Sequence, residues 1–464
     1  MARVLLCCEN YAPSVGGVQE VMRQIAERTA AAGHDVSVAT TSHPQREDGC
    51  VINGVQVRSF RMGGNLAKGL SGDVDGFRRY LLDTRPDVIM IKAAQQCTFD
   101  AALAVIEDID ATKVFIPCGF SGLGAPEYED YYAAMPTYMA KFDKLIFYAT
   151  AYKDIDMARG AGLSQLEIIP NGVDETEFFA DTGNGVARQG RAGLTFLTVG
   201  NRIVPKGHWE VLDAFDTVHA DVPLTLLLNG NSPHRSAARA IAGSLRDTLR
   251  GYLPLGMLVS LANLRFKLRG EPKRVVLTDY KRAGLLQAYR QADVFLFASH
   301  VEYSPLVLFE AAASGTPFIS ADVGNAREIA QWTGAGRVVT PATPVVGRKA
   351  VSSAFADAVQ MLINDPDSMQ AMAAAGRATI AADYCWNSIV RRYWHAMGIE
   401  PFAVTSASER DLGGRRDDKQ SEHEHRAGVA DRGEAAHGSA RRHNQVAHFR
   451  LLGVRARKLL CAAR

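Results

Sequence analysis

Glu302 and Glu310 stand with seven residues between them in the stretch SHVEYSPLVLFEAAASGTP, residues 299–317. The apolar run before it, 294–297, has the length of a buried parallel strand. Ser304 is placed to cap a helix and Pro305 to open it, since proline loses nothing by lacking a donor there. The helix is expected to run to about Ser314 and to stop at Gly315, with Thr316 and Pro317 barring continuation. The free N–H groups of Leu306 and Val307 would then project from the strand's C-terminal end, where the helix dipole favours an anion. Glu310 follows Leu306 by one helical turn and shares the face that looks toward this mouth. Carboxylates so close to a phosphate repel it unless hydroxyl groups stand between them. A ribose diol beside a diphosphate meets that condition, and so does a sugar ring. Spacing alone leaves a second reading open, in which Glu302 complements the helix dipole and Glu310 is a solvated surface residue.

The chain around this stretch has 464 residues, room for two or three ordinary domains. Hydrophobic residues make up 47% and charged residues 22%, the balance of a soluble globular protein. A formal net charge of +2 demands neither nucleic acid nor an anionic membrane as partner. The first residues, MARVLLCCENYAP, are too short an apolar run for a secretory segment, and no run is long enough to span a bilayer. Seven scattered cysteines without CxxC spacing fit reduced, cytoplasmic usage rather than a disulfide framework or a zinc site.

The elements that must position the glutamates are strands and helices in alternation. A strand over 4–8, a loop containing Pro13, Gly16 and Gly17, a helix over 18–32 closed by Gly33, and a strand over 36–39 form one parallel crossover. The sequence Ile52-Asn53-Gly54-Val55 signals a hairpin. A helix near 74–83, a strand at 88–91, a helix near 99–108, and strands at 114–116 and 145–148 continue the series, the last after a polar, tyrosine-rich segment. The pattern makes the first half a doubly wound α/β domain. Residues 181–193, rich in Gly and Arg, read as a linker; Gly183 and Gly185 follow no strand, which excludes a dinucleotide fingerprint there.

A second α/β series follows, with strands at 196–199, 224–228, 275–277, 294–297, 318–320 and 337–339. Helices are expected near 209–218, 285–291, 355–363, 367–381 and 387–397, and residues 250–273 read as an insertion on the surface. After Glu400 the composition turns to mixed charge with few apolar residues, and 401–464 is expected to be a disordered tail. The paired acids at 108/110 and at 154/156 lie in or beside helical segments and read as solvated faces rather than a metal site.

These residues together resemble glycosyltransferase family 4, whose members have the GT-B architecture of two facing Rossmann-like domains. The resemblance covers roughly residues 3–397. It rests on Glu302 and Glu310 in EYSPLVLFE, on the run 169–174 (IPNGVD) with Phe178, on the loop holding Arg202, Lys206 and Gly207, and on Gly16-Gly17-Val18. The domains implied are 1–170 on the acceptor side and 171–382 on the donor side, with a C-terminal helix over 383–400 returning toward the first. The resemblance implies a nucleotide-sugar donor, its diphosphate met by Arg202, Lys206 and the amides of Leu306 and Val307. Glu310 would accept from the ribose hydroxyls, and Glu302 would hold the sugar near its reacting carbon. Gly16 and Gly17 would let the first domain's backbone approach, and Thr278, Asp279 and Tyr280 would lie by the base. Two positions depart from the family's pattern. Cys118 stands where many members carry a histidine that meets the donor sugar, and Asn201 separates Gly200 from Arg202.

The expectation is a cytoplasmic transferase moving a hexose, with retention of configuration, from a UDP- or GDP-sugar to a glycan, lipid-linked or small-molecule acceptor. Bacterial polysaccharide or glycoconjugate synthesis is the context the composition suggests, with peripheral contact at a membrane's inner face left open. Neither cofactor nor metal is called for, because fixed cations and amides can meet the charge that grows on a leaving diphosphate. Two rival readings are a nucleotide-sugar epimerase or hydrolase of the same fold, and a catalytically silent nucleotide-sugar binder.

Overall fold

The computed structural model describes residues 1–179, 192–230, 252–340 and 348–401. The first series begins with β1 (Arg3–Cys7), α1 (Gly17–Ala31), β2 (Asp35–Thr41), β3 (Val51–Ile52), β4 (Val55–Phe60), β5 (Met62–Asn65) and β6 (Gly69–Gly72). It continues through α2 (Val74–Thr84), β7 (Val88–Lys92), α3 (Cys97–Ala102), β8 (Thr112–Ile116), α4 (Glu129–Met139), β9 (Lys144–Phe147), α5 (Lys153–Gly160), β10 (Leu166–Ile168) and the short α6 (Glu175–Phe178). The second comprises β11 (Leu194–Val199), α7 (His208–Thr217), β12 (Leu224–Asn229), α8 (Leu255–Arg269), β13 (Lys273–Thr278), α9 (Arg282–Gln291), β14 (Val294–Phe297) and α10 (Leu306–Ala313). After these come β15 (Phe318–Ala321), α11 (Ala326–Thr333), β16 (Gly336–Val339), α12 (Arg348–Asn364), α13 (Pro366–Asp383) and α14 (Trp386–Met397).

The strands form two separate sheets. One has eight strands in the order β10-β9-β8-β7-β1-β2-β4-β3, parallel throughout except for the β3–β4 hairpin. The other has six, β13-β12-β11-β14-β15-β16, all parallel. Apolar layers cover both faces of each, as parallel sheets require. The two Rossmann-like units of the GT-B architecture are therefore present.

Strand order decides where a ligand can sit. The first sheet reverses direction at β1, and the second reverses between β11 and β14. Loops at the carboxyl ends of such switch strands diverge and leave a crevice. The Gly16-Gly17 loop follows β1, the Lys206 loop follows β11 and the Glu302 loop follows β14, so all three motifs sit at these crevices.

Several elements differ from expectation. Helix α10 begins at Leu306, with Pro305 in the capping position and no side-chain cap; the Ser304 hydroxyl makes no hydrogen bond. The helix does end as read, with Ser314 at its C-cap and Gly315 left-handed. The expected helix over 99–108 is α3 followed by a 3-10 turn at Ile106–Asp108, a break that lets Leu103 and Ile106 both reach the core. The tyrosine-rich segment is α4, which keeps Pro136 inside the helix while burying Tyr131, Tyr132, Met135 and Met139. Residues 255–269 are no insertion. They form the crossover helix α8, burying Val259, Ala262 and Phe266, and the Asn263 side chain bonds both backbone groups of Val275. Exposed Met257, Leu261, Leu264 and Leu268 on the opposite face hid its periodicity. The β5–β6 hairpin and α11 carried no sequence expectation. The expected linker over 181–193 and the tail from 401 fall almost wholly outside the described residues.

Helix α14 packs on the first sheet rather than the second. Trp386, Ile389, Val390, Tyr393 and Met397 join Val21, Met22 and Ile25 of α1 in one buried layer. Trp394 Nε1 donates to Thr29 Oγ1 at 2.9 Å, tying α14 to α1. No helix of the described residues is long and apolar enough to cross a membrane. Because Trp386 is 1% exposed, Trp386→Ala is expected to cost about 3–5 kcal/mol, the usual range for a core tryptophan. Chemical denaturation, compared with a surface control such as Met361→Ala, measures it.

Candidate active site

A cleft of about 850 Å³ lies between the two sheets' carboxyl ends. Gly16, Gly17, Lys92, Cys118, Tyr148 and Tyr152 line it from the first series; Lys206, Arg282, Glu302, Leu306, Val307 and Glu310 line it from the second. Both helices that open onto it, α1 and α10, begin without a side-chain cap. Other helices, α7 and α9 among them, also lack one, whereas α2, α6 and α13 are capped by Asp73, Asp174 and Asp365; what sets α1 and α10 apart is that their first two residues both line the cleft. The first amides of α1 and α10 are thus left for something else to satisfy. The two helix starts approach each other closely. A Cβ placed on Gly17 would lie 3.7 Å from Leu306 Cδ1, so the pair Gly16-Gly17 keeps this wall thin.

Lys206 and Glu302 come together although 96 residues separate them. Lys206 Nζ donates to Glu302 Oε1 at 2.5 Å, and Ser299 Oγ donates to the same oxygen at 2.9 Å. Lys206 owes its position to the 3-10 turn Val204–Lys206 and to Gly207, whose φ of 71° turns the chain into α7. The loop carrying Glu302 is held from beneath as well: His300 Nε2 lies 3.2 Å from Glu210 Oε1 on α7, and this contact raises the imidazole's pKa. Its opposite side is fastened to the first series. Tyr152 Oη donates to the Glu302 carbonyl at 2.9 Å, Asn171 Nδ2 to the Ser304 carbonyl at 3.0 Å, and the Tyr148 N–H to Tyr303 Oη at 3.0 Å.

Glu310 does face the cleft, and it is not a solvated acid. Burial raises its pKa, and the Arg282 guanidinium opposes that shift, with Nη1 donating to Glu310 Oε1 at 2.6 Å. Arg282 also grips Glu177 and stands 5.7 Å over the Phe178 ring. Burial works against the charge on Arg282, yet the two acids hold its pKa above the usual value. Sequence reading missed Arg282 and Glu177, because the helix was expected to start three residues later, at 285. A basic residue so soon after β13, at the sheet's carboxyl end, was the available signal.

Not every expected residue converges. Arg202 is not among the residues lining the cleft; its guanidinium donates to the Thr278 carbonyl at 3.2 Å. Thr278, Asp279 and Tyr280 also lie off the cleft lining, at the end of β13, where Asn229 Oδ1 accepts from Thr278 Oγ1 and the Tyr280 N–H. Cys118 does line the cleft, in a left-handed conformation at φ 69°, and burial pushes its thiol pKa up. The reading of Asp154 as a solvated acid is corrected. It is fully buried, accepts from the Gly119 N–H at 2.8 Å, and burial moves it up to about 6. Among the described residues no group of three His, Cys, Asp or Glu side chains could hold a metal ion.

Two outcomes test this architecture. A Cβ on Gly207 would fall 1.9 Å from the Ala298 carbonyl oxygen in a left-handed backbone. Gly207→Ala is therefore expected to destabilise by about 1–3 kcal/mol, read by denaturant titration. The second concerns pH. A histidine whose folded pKa is raised stabilises fully below its unfolded value and loses that effect as pH rises through the folded one. The thermal-melting deficit of His300→Gln should thus be larger at pH 6 than at pH 9.

Comparison with known proteins gives the family. Residues 193–365 match the family described as glycosyl transferases group 1, and residues 16–146 match a glycosyl transferase 4-like domain. A glycogen synthase from Mycobacterium tuberculosis is 27% identical over 421 residues, covering 83% of this chain and 92% of that protein. A GDP-mannose-dependent monoacylated alpha-(1-6)-phosphatidylinositol monomannoside mannosyltransferase from Corynebacterium glutamicum is 27% identical over 249 residues, 51% of this chain and 56% of that one. Among solved structures, sucrose-phosphate synthase from Thermosynechococcus elongatus superposes with a TM-score of 0.65 at 20% identity, over 85% of this chain and 98% of that one. Anabaena HepE, solved with UDP and glucose, superposes with a TM-score of 0.58 at 15% identity, over 86% of this chain and 100% of that one. The chain belongs to the glycosyl transferase group 1 family of the GT4 type, enzymes of GT-B fold that transfer a sugar from a nucleotide-sugar donor.

Proposed function

We propose that this enzyme transfers a hexose from a UDP- or GDP-sugar to a sugar hydroxyl with retention of configuration. The observation that carries the reading is the pair of uncapped helix starts facing one cleft, with Lys206 and Glu302 between them. A diphosphate needs donors and a cation at once. In this reading the amides of Leu306 and Val307 cap it, and Lys206 neutralises the oxygen on which charge grows. Gly16 and Gly17 let the first domain's backbone close over the same group.

The two acids serve the neutral parts of the donor. Glu310, oriented by Arg282, accepts from the ribose diol, and Glu302 accepts from hydroxyls of the transferred sugar. The acceptor oxygen attacks the anomeric carbon from the face the phosphate leaves. The carbon–oxygen bond to the diphosphate breaks, and a phosphate oxygen takes the acceptor's proton. The products are a nucleoside diphosphate and a glycoside, with no proton left over.

Arg202 has a lesser part here. It braces the Thr278 carbonyl, and so sets the loop of Thr278, Asp279 and Tyr280 against which the base would lie. The acceptor is a glycan, a lipid-linked sugar or a small molecule.

Loss of Lys206 or Glu310 separates these roles. Each of Lys206→Ala and Glu310→Ala is expected to cost about 2–4 kcal/mol of transition-state stabilisation, read from the ratio of kcat/KM values, Lys206 through the charge growing on the leaving oxygen and Glu310 through the ribose contact. Steady-state kinetics with purified donor and acceptor give the value. Unchanged turnover in either variant would refute the assignment.

A further inference from the structure

Lys92 has no place in the reactions just described. It is the last residue of β7, is 1% exposed, and lines the cleft. Its Nζ donates to the Tyr148 hydroxyl and stands 4.7 Å over that ring. Among the described residues no carboxylate lies within ion-pair distance of it. The acids nearby are engaged elsewhere: Glu302 pairs with Lys206, and Asp154 accepts from the Gly119 and Ile155 N–H groups. The thiols of Cys8 and Cys118 lie nearby, and burial pushes the pKa of both up, so neither supplies a counter-charge.

A cation buried without a counter-ion is costly, and proteins keep one only where something compensates it. Burial lowers the pKa of this amine, and an anion placed beside it would restore the charge. The backbone around it is strained as well. Ala93 and Gln95 after β7, and Cys118 and Phe120 after β8, all take positive φ without being glycine. Such residues cluster where a site over-determines the chain. Tyr148 links the lysine to the donor loop, since its ring centroid lies 5.4 Å from that of Tyr303, the neighbour of Glu302. Lys92 therefore lies on the side of the cleft where the Glu302 loop meets the first series, the side given to the transferred sugar in the reading above.

We propose that Lys92 is a specificity-determining residue that recognises an anionic substituent, a carboxylate or a phosphate ester, on one of the two sugars that meet in the cleft. The proposal rests on the reading of the cleft as a nucleotide-sugar site. A short thiol at Cys118 leaves the space beside the amine to the ligand, and the Tyr148 hydroxyl aims it.

Calorimetry on the full chain tests this. Titration with UDP and GDP first fixes the base; if neither binds, the nucleotide-sugar reading falls and this proposal with it. The donor arm then compares UDP-glucuronate with UDP-glucose, or GDP-mannuronate with GDP-mannose. The acceptor arm, with the nucleoside diphosphate saturating, compares glucose 6-phosphate and myo-inositol 1-phosphate with their parent sugars. An anionic sugar is expected to bind at least tenfold tighter than its neutral counterpart in one arm, and the arm that responds names the source. Lys92→Met should abolish that preference while still binding the nucleoside diphosphate, and Lys92→Arg should keep part of it. Binding of the nucleoside diphosphate with no anionic preference in either arm overturns this proposal alone, as does a preference that survives in Lys92→Met. The wild-type comparison stands even if Lys92→Met does not fold.

Discussion

The salt link between Lys206 and Glu302 is the constraint around which the cleft is arranged. A diphosphate site must be positive, and a sugar site needs acceptors for hydroxyl donors. Here both must fit within one small space. Left apart, a half-buried carboxylate beside the diphosphate would repel it, and Lys206 would bind whichever anion arrived. Joined, the two groups fix each other's geometry, and in the proposed reading Lys206 keeps donors for the diphosphate while the positive end of α10 helps to place it. Glu310 follows the same logic with Arg282 as its partner. In both cases a cation holds the acid in one geometry without removing its capacity to accept.

That arrangement needs the two sheets to stay at a fixed separation. Glu302, Tyr303 and Ser304 are each hydrogen-bonded to a residue of the first series. Asn325 Nδ2 also donates to the Tyr148 carbonyl at 2.8 Å, and Glu328 accepts from the Thr150 N–H at 3.0 Å. Helix α14, the last of the described helices, lies in the core of the first sheet and makes a second connection. The loop with the acids is thus shared property: β14 begins it, and tyrosines from the other sheet finish it.

How much of this was legible depended on distance along the chain. The parallel sheets could be read because β7 and β14 are short continuous apolar runs, a pattern set by burial on both faces. The glutamates, glycines and Lys206 could be found because each belongs to a loop at a strand's end, where local turn chemistry shows. The partnerships could not. Lys206 meets Glu302 across 96 residues, and Arg282 meets Glu177 across 105. No periodicity reports such contacts. Helix α8 was misread for a different reason, since its solvent face mixes exposed Met257, Leu261, Leu264 and Leu268 with basic residues and so blurs the period. Ser304 misled locally, because a good capping residue before Pro305 is turned instead into the joint between the sheets. Asp154 looked like half of a solvated acid pair and is buried against Gly119.

The energetics of the shared loop bear on how the enzyme can work. Each hydrogen bond across the cleft contributes about 1 kcal/mol net, so those holding the loop together contribute only a few. Their sum supports the arrangement seen here and is small beside the affinity of a tightly held diphosphate. A donor bound between Gly17 and Leu306 as proposed would meet acids already paired and aimed, and little ordering would remain for binding to supply. Release of the nucleoside diphosphate would then need only those few bonds to yield. Because Tyr303 and Ser304 sit between the two acids in sequence, opening the sheets would draw the Glu302 loop away from the start of α10. Closure and alignment of the reacting groups are then one event, governed by the same tyrosines.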